Sequence, residues 1–158
     1  GAACSVVGSS GCPQDVFADF PSHLQPEARM EKVLGFGGFF FRARDPKQLA
    51  RWYRETLGVD ETPPDYAHAY WVQERGPTVF EPFAEGTDYF GDSKFQFMLN
   101  FRVADLDAMI AQLERLGVKV ERDPQVYPNG MFARLQDPEG NPVAIWQPKG
   151  DELSLPRV

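Results

Sequence analysis

Residues 39–45 read FFFRARD and residues 99–105 read LNFRVAD, and this repeated stretch decides the fold. In register, each copy carries Phe at its third position, Arg at its fourth and Asp at its seventh. An apolar stretch that ends in Asp predicts a strand running into a helix, because the carboxylate can accept hydrogen bonds from the free N–H groups of the first helical turn. The chain therefore contains the same strand-to-helix junction twice.

A helical pattern follows each junction. Apolar side chains recur at helical spacing in both copies, at Leu49, Trp52, Tyr53 and Leu57 in the first and at Leu106, Met109, Ile110, Leu113 and Leu116 in the second. Pro46 suits the first helical position, where no N–H is needed. Both patterns stop at Leu-Gly-Val, at 57–59 and 116–118, where Gly can take the left-handed conformation that ends a helix.

Short strand candidates complete each half. They lie at 69–73 and 78–83 in the first half and at 118–121, 131–136 and 143–147 in the second. Each half then has the order βαβββ, and residues 84–94 form the loop between halves. We expect an α+β domain over 30–150, with module one at about 33–83 and module two at about 95–148.

The two ends are expected to lie outside this fold. Residues 1–29 carry Gly, Ser and Pro without periodicity, which indicates a leader or extension, and 151–158 form a tail. Alternatively, Ala-Ala-Cys ending at Cys4 resembles the lipidation site of bacterial lipoproteins. A third possibility is an arm that docks on the domain through Phe17, Phe20 and Leu24.

Composition excludes several classes of function. The net charge is −7 with no concentration of Lys and Arg, so binding to nucleic acid or to an anionic membrane is disfavoured. No apolar run approaches the ~20 residues that cross a bilayer. Cys4 and Cys12 are the only cysteines, so the domain has no thiol nucleophile or Cys-based metal site. A small molecule is the expected partner.

Several motifs together resemble the vicinal oxygen chelate superfamily, which includes glyoxalase I, bleomycin-resistance proteins and extradiol dioxygenases. They are FRARD at 41–45, TVFEPF at 78–83, TDYFG at 87–91, NFRVADLD at 100–107 and DPEGNP at 137–142. The resemblance is to the glyoxalase-like branch and implies two βαβββ modules side by side, with sheets curled around a shared cavity. It also implies a homodimer, and we expect a cytoplasmic location unless Cys4 is lipidated.

The resemblance implies a metal site in some members, with ligands on the first and last strands of each module. The corresponding positions here are Gly38, Met98, Ala144 and Glu81. Gly and Ala offer no ligand atom, and a thioether is too soft for a hard divalent ion. His68 has no partner at ligand spacing. We therefore expect no bound metal and no cofactor.

Strand alternation predicts which side chains face the cavity. The predicted ligand-binding set is Phe40, Arg42, Phe83, Gln96, Met98, Asn100, Arg102, Ala144 and Trp146. Glu81, if desolvated among aromatic rings, would act as a general base. The alternative is that the arginines pair with acids at the rim of the sheet and that Glu81 is solvated. Tyr89 and Phe90 either close the pocket or pack on a neighbour.

Three functions remain compatible with the sequence. The first is a glyoxalase-like small-molecule-binding protein with a degenerate metal site, which acts as a metal-independent lyase or isomerase on a carbonyl compound if Glu81 is a base. The second is sequestration of a drug or metabolite, as in bleomycin-resistance proteins. The third is a metal-dependent lyase or dioxygenase, which the missing ligands disfavour.

Overall fold

The computed structural model describes residues 31–149. The chain divides into two compact units, residues 1–39 and 40–158, and every helix and strand among the described residues lies in the second. In the first unit, residues 31–39 adopt no regular element. The expected extension at 1–29 and the tail at 151–158, with Cys4, Cys12 and the proposed aromatic arm, lie outside the described residues.

Both predicted helices are confirmed, with their caps. Helix α1 spans Pro46–Leu57, and the Asp45 carboxylate accepts a hydrogen bond from the Gln48 N–H at 3.0 Å. Helix α2 spans Leu106–Arg115, and Asp105 accepts from the Ala108 N–H at 2.9 Å. Gly58 ends α1 in the left-handed conformation with φ +72°, which a side chain would disfavour.

Module two folds in the predicted βαβββ order. Its strands are β1 (Leu99–Arg102), β2 (Glu121–Arg122), β3 (Gly130–Gln136) and β4 (Pro142–Pro148), and they form one sheet in the order β1-β4-β3-β2. β4 returns to lie parallel beside β1, and β3 pairs antiparallel with both β4 and β2. The α+β class is confirmed.

The core lies between α2 and one face of this sheet. Its fully packed members come from α2, β3 and β4: Leu106, Leu113, Ala133, Leu135, Val143 and Ile145. They alternate along β3 and β4, so the intervening side chains point to the other face. We call that second face, which carries Asn100, Arg102, Phe132, Arg134, Ala144 and Trp146, the polar face.

The prediction of three strands in module one is wrong. Residues 39–45, 69–73 and 78–83 carry no strand pairing among the described residues, so one four-stranded sheet stands where two were expected. Residues within or next to two of these segments weaken the pairing of strands. Gly37 and Gly38 precede the first, and Pro82 removes an N–H donor from the last. Segment 69–73 is then left without a neighbouring strand.

The second strand of module two begins later than expected, at Glu121 instead of Val118. The Val118 N–H donates to the Leu113 carbonyl oxygen at 2.9 Å, so this residue still belongs to the end of α2. Pairing with β3 starts only where Glu121 comes opposite Arg134. The hydrogen bonds that end α2 therefore extend to Val118, and the strand begins three residues later than predicted.

Candidate functional site

The polar face brings together four of the predicted site residues. Asn100 lies opposite Ala144 and Arg102 opposite Trp146 across the β1–β4 ladder. Ala144 and Trp146 are nearly inaccessible, at 3% and 4% exposure, whereas Asn100 is exposed. The predicted alternation of module two, with apolar residues beneath the helix and a mixed set opposite, is the one that the structure has.

Strand β3 adds two residues that sequence reasoning missed, Phe132 and Arg134. Phe132 lies opposite Trp146, and their rings are parallel within 2° with centroids 6.0 Å apart. Arg134 lies opposite Ala144. The signal was present in the sequence, because Met131, Ala133 and Leu135 alternate with these positions and mark them as facing away from the core.

Two arginines hold first-half backbone against this face. Arg102 donates from Nη2 to the Glu74 carbonyl oxygen at 2.7 Å, and Arg134 donates from Nη1 to the Tyr89 carbonyl oxygen at 3.1 Å. At Gly76, an added Cβ would lie 1.4 Å from Nη1 of Arg102, so a side chain there would displace the guanidinium. We call residues 74–91, which carry both acceptors, the covering segment.

Carboxylates of the described residues do not neutralise the arginines of the polar face. Neither Arg102 nor Arg134 forms a salt bridge with any carboxylate of residues 31–149. This holds for Arg134 although Glu121 is its cross-strand neighbour. Its guanidinium lies instead over the Tyr89 ring, 4.3 Å from the centroid. The alternative interpretation of the sequence, in which Arg42 and Arg102 pair with acids at the rim of the sheet, is therefore wrong for the carboxylates of residues 31–149.

An aromatic cluster occupies the end of the covering segment. The Phe83 ring stacks on Tyr89 with centroids 4.9 Å apart and planes within 14°, and Phe90 meets Phe83 edge-on at 5.1 Å. Turns within the 84–94 loop shape it, since the Gly91 N–H donates to the Asp88 carbonyl oxygen at 2.9 Å. The aromatic cluster (Phe83, Tyr89 and Phe90) thus rests on the Arg134 side chain through Tyr89.

A cleft of about 640 Å³ opens beside this cluster, where β3 ends and β4 begins. Its walls carry Tyr89 and Phe90 of the cluster, Met98 ahead of β1 and Arg134 of β3. Further lining comes from Trp52, 117–119, Glu121, 135–138 and 142–143. Clefts of this size that combine aromatic side chains with a small number of polar groups are typical of small-molecule sites.

The remaining predicted site residues lie elsewhere. Phe40 is 93% exposed, and Arg42, Glu81 and Gln96 are also exposed. Gln96 donates from its amide nitrogen to the Ser93 carbonyl oxygen at 3.2 Å. Met98 is the only predicted site residue in the lining of the cleft, which includes neither these four nor Phe83, Asn100, Arg102, Ala144 and Trp146. The burial among aromatic rings that would make Glu81 a base is absent, because the strand that would have placed it beside them is not formed.

The DPEGNP motif at 137–142 is a structural anchor. The buried Asp137 carboxylate accepts hydrogen bonds from the N–H groups of Glu139 and Asn141, both at 2.9 Å, and from the Asn141 amide at 2.7 Å. It also accepts from the Tyr53 hydroxyl of α1 at 2.9 Å. Burial first, then the charge of Asp137 and this hydrogen bond, raise the pKa of Tyr53 above its ordinary value, so the phenol stays protonated.

Glu139 of the same motif ties down the start of α1. Its carboxylate accepts from the N–H groups of Arg44 and Asp45, each at 2.8 Å. These two hydrogen bonds, that of Asp45 being the stronger influence, lower the pKa of Glu139. Through Asp137 and Glu139, the turn before β4 fixes α1, and with it Trp52 on the wall of the cleft.

The side chains at the expected ligand positions do not fit a metal. Gly38 and Ala144 have no donor atom, Met98 offers only a thioether, and Glu81 is exposed outside the cleft. Residues 31–149 hold no group of three or more His, Cys, Asp or Glu side chains placed to share an ion. His68 pairs locally, with Nδ1 2.6 Å from the Asp65 carboxylate in an exposed turn.

A family model described as a glyoxalase-like domain matches residues 38–146. The chain belongs to this family. The match covers the two repeated junctions, both helices and the DPEGNP turn, so the resemblance seen in the sequence is confirmed. No curated protein matches the glyoxalase-like chain.

Several solved structures are similar to this glyoxalase-like domain. A glyoxalase/bleomycin resistance protein from Streptomyces sp. CB03234 is 39% identical over 31% of this chain and 42% of that chain, less than half its length, with a TM-score of 0.29. TnmS3, an antibiotic binding protein from the same organism, is 27% identical over 66% of this chain and 88% of that chain, with a TM-score of 0.42. A member of the glyoxalase/bleomycin resistance protein/dioxygenase superfamily from Sphaerobacter thermophilus DSM 20745 is 19% identical over 65% of this chain and 88% of that chain, with a TM-score of 0.41.

One further property follows from the helices. Neither α1 nor α2 is long and apolar enough to cross a bilayer, and no other helix occurs in residues 31–149.

Proposed function

We propose that this glyoxalase-like domain binds a small organic molecule in the cleft beside the aromatic cluster, without a metal ion. The observation that carries the proposal is the cleft itself. It has a volume of about 640 Å³, and its lining includes Tyr89, Phe90, Met98 and Arg134. Its size falls within the ~300–1,000 Å³ typical of ligand pockets.

The walls favour a ligand with a flat aromatic part. Tyr89 and Phe90 offer rings, and the adjacent Trp52 contributes a third from α1. Ring-on-ring contacts contribute about 0.5–1.5 kcal/mol beyond the burial of their area. A planar guest therefore gains more here than an aliphatic guest of equal volume.

Sequestration is the function that this geometry supports best. The cleft presents binding groups, while the base that the sequence suggested, Glu81, is exposed and outside it. General base catalysis requires the base within hydrogen-bond reach of the proton that it removes. Binding without turnover therefore requires only residues that line the cleft, whereas turnover through Glu81 would also require an exposed residue outside it.

A metal-independent lyase or isomerase is the second candidate. Phe83, two residues from Glu81, stacks on Tyr89 at the edge of the cleft, and this favours the candidate because it brings the Glu81 segment near the site. The variant Glu81→Gln separates the two functions. Under sequestration it binds ligand as the wild type does and no carbonyl compound is turned over, whereas an enzyme loses turnover and keeps binding.

Calorimetric titration tests the binding proposal with two neutral probes, 2-naphthamide and cyclohexanecarboxamide. We expect the planar probe to bind more tightly, and Tyr89→Ala to weaken its binding. Tyr66→Ala is the matched control, because Tyr66 is 98% exposed and does not line the cleft. Equal binding of both probes, or equal effects of both variants, would refute the proposal.

A further inference from the structure

Arg134 is the charged residue of the cleft with the most hydrogen-bond donors left unused. A guanidinium has five N–H donors in a planar fork. One of these, on Nη1, donates to the Tyr89 carbonyl oxygen at 3.1 Å, and the Tyr89 ring lies 4.3 Å from the guanidinium carbon. These two contacts hold the guanidinium against Tyr89 in the lining of the cleft without neutralising its charge.

A second cation shares the cleft with Arg134. Lys119 lines the same cavity, and neither side chain forms a salt bridge with a carboxylate of the described residues. An anionic group entering the cleft would meet both.

The acidic residues of the cleft do not cancel this charge in equal measure. Asp137 is 5% exposed and its carboxylate already accepts four hydrogen bonds, from the Tyr53 hydroxyl, two backbone N–H groups and the Asn141 amide. Glu121 is exposed, as Arg134 and Lys119 are, and forms no salt bridge with either cation. The two cations therefore keep hydrogen-bond donors that a negatively charged acceptor can use.

We propose that the ligand of this cleft is a planar aromatic carboxylate, with its ring against Tyr89 and Phe90 and its carboxylate on Arg134, assisted by Lys119. This inference rests on the proposed function and adds the class of ligand. The fork of Arg134 matches the two oxygens of a carboxylate, and a charged acceptor forms a stronger hydrogen bond than an amide oxygen does.

Titration with the matched probes 2-naphthoate and 2-naphthamide tests the proposal. The two differ in charge and share the same ring, so the ratio of their dissociation constants isolates recognition of the anion. We expect 2-naphthoate to bind roughly tenfold more tightly or better, since a charge-assisted hydrogen bond replaces a neutral one. The preference should weaken as salt concentration rises.

Three substitutions assign that preference to its residues. Arg134→Met should abolish most of it and Lys119→Met should reduce it. Arg51→Met removes the same charge and should leave the preference unchanged. Arg51 is exposed on α1 and does not line the cleft. Arg134→Lys keeps the charge without the planar fork and should retain an intermediate preference.

The outcomes distinguish this inference from the proposed function. If neither probe binds, both are wrong. If both bind equally in the wild type, the cleft binds aromatic molecules but does not recognise an anion, and only the inference fails. If Arg134→Met weakens both probes by the same factor, Arg134 only positions Tyr89, which also overturns the inference.

Discussion

Replacing Tyr53 with Phe removes one hydroxyl group and tests the anchor on which the placement of α1 depends. The Tyr53 hydroxyl donates to the Asp137 carboxylate at 2.9 Å, and the two residues are 6% and 5% exposed. The ring contacts of Tyr53 survive the substitution, including those to Trp52 at 5.0 Å and Phe101 at 6.2 Å. The measured change therefore reports the hydrogen bond alone.

The magnitude follows from the charge of the acceptor. A hydrogen bond to a charged group contributes about 1.5–3 kcal/mol. In the variant, Asp137 keeps its other three hydrogen bonds, from Glu139 and Asn141, so its carboxylate is not left unsatisfied. We expect Tyr53→Phe to lower the free energy of unfolding by about 1.5–3 kcal/mol.

Urea unfolding followed by circular dichroism measures this change. The slope of the free energy against urea concentration should match that of the wild type, because the unfolded chain exposes the same surface. Tyr66→Phe is the matched control and should change stability by less than about 0.5 kcal/mol, since Tyr66 is 98% exposed. A Tyr53→Phe effect as small as that of the control would refute the anchor.

Three further perturbations probe other parts of the structure. Gly130→Ala should lower the free energy of unfolding by more than about 1 kcal/mol, because Gly130 has φ +136° and an added Cβ would lie 2.1 Å from the Gln147 carbonyl oxygen. Urea unfolding measures this change, and a variant as stable as the wild type would contradict the close approach. Leu113→Ala should cost about 2–5 kcal/mol in the same assay through the cavity that it leaves, whereas Leu116→Ala, at 55% exposure, should cost far less, and equal costs would show that the core is misplaced. Glu139→Gln should be less stable than the wild type at neutral pH, and the difference should shrink as pH falls below 4.5, because the lowered pKa of Glu139 stabilises the fold only while its carboxylate is charged; a difference independent of pH in thermal unfolding would contradict this.

Module two was predictable from sequence because its signals are local. The Asp105 carboxylate caps α2 by accepting a hydrogen bond from the N–H of Ala108, only three residues away. The β3–β4 hairpin closes through the 137–141 turn. Alternation along these strands also assigned Asn100, Arg102, Ala144 and Trp146 to one face. Nothing in these steps required knowledge of a distant partner.

Module one was less predictable because a strand depends on what lies beside it. The pattern at 78–83 has β-forming residues, but it includes Pro82 and does not form a strand. The placement of Glu81 depended on that strand and failed with it. Phe40 and Arg42, which were placed by the same alternation, are exposed for the same reason.

Contacts between distant parts of the chain were beyond sequence reasoning. Tyr53 and Asp137 are 84 residues apart, and Arg134 and Tyr89 are 45 residues apart. Neither pairing follows from periodicity or from composition. Strand alternation could have assigned Arg134 to the polar face, but only the structure shows that it contacts Tyr89 and that both line the cleft.

The central claim is that an aromatic acid binds beside the aromatic cluster, and nuclear magnetic resonance tests it most directly. In a titration of the ¹⁵N-labelled chain with 2-naphthoate, the account predicts saturable shifts of the backbone amide signals of Tyr89, Met98 and Arg134. The exposed turn around Asp65 should stay unchanged. Shifts confined to residues outside the cleft, or no saturable shift at all, would contradict the account.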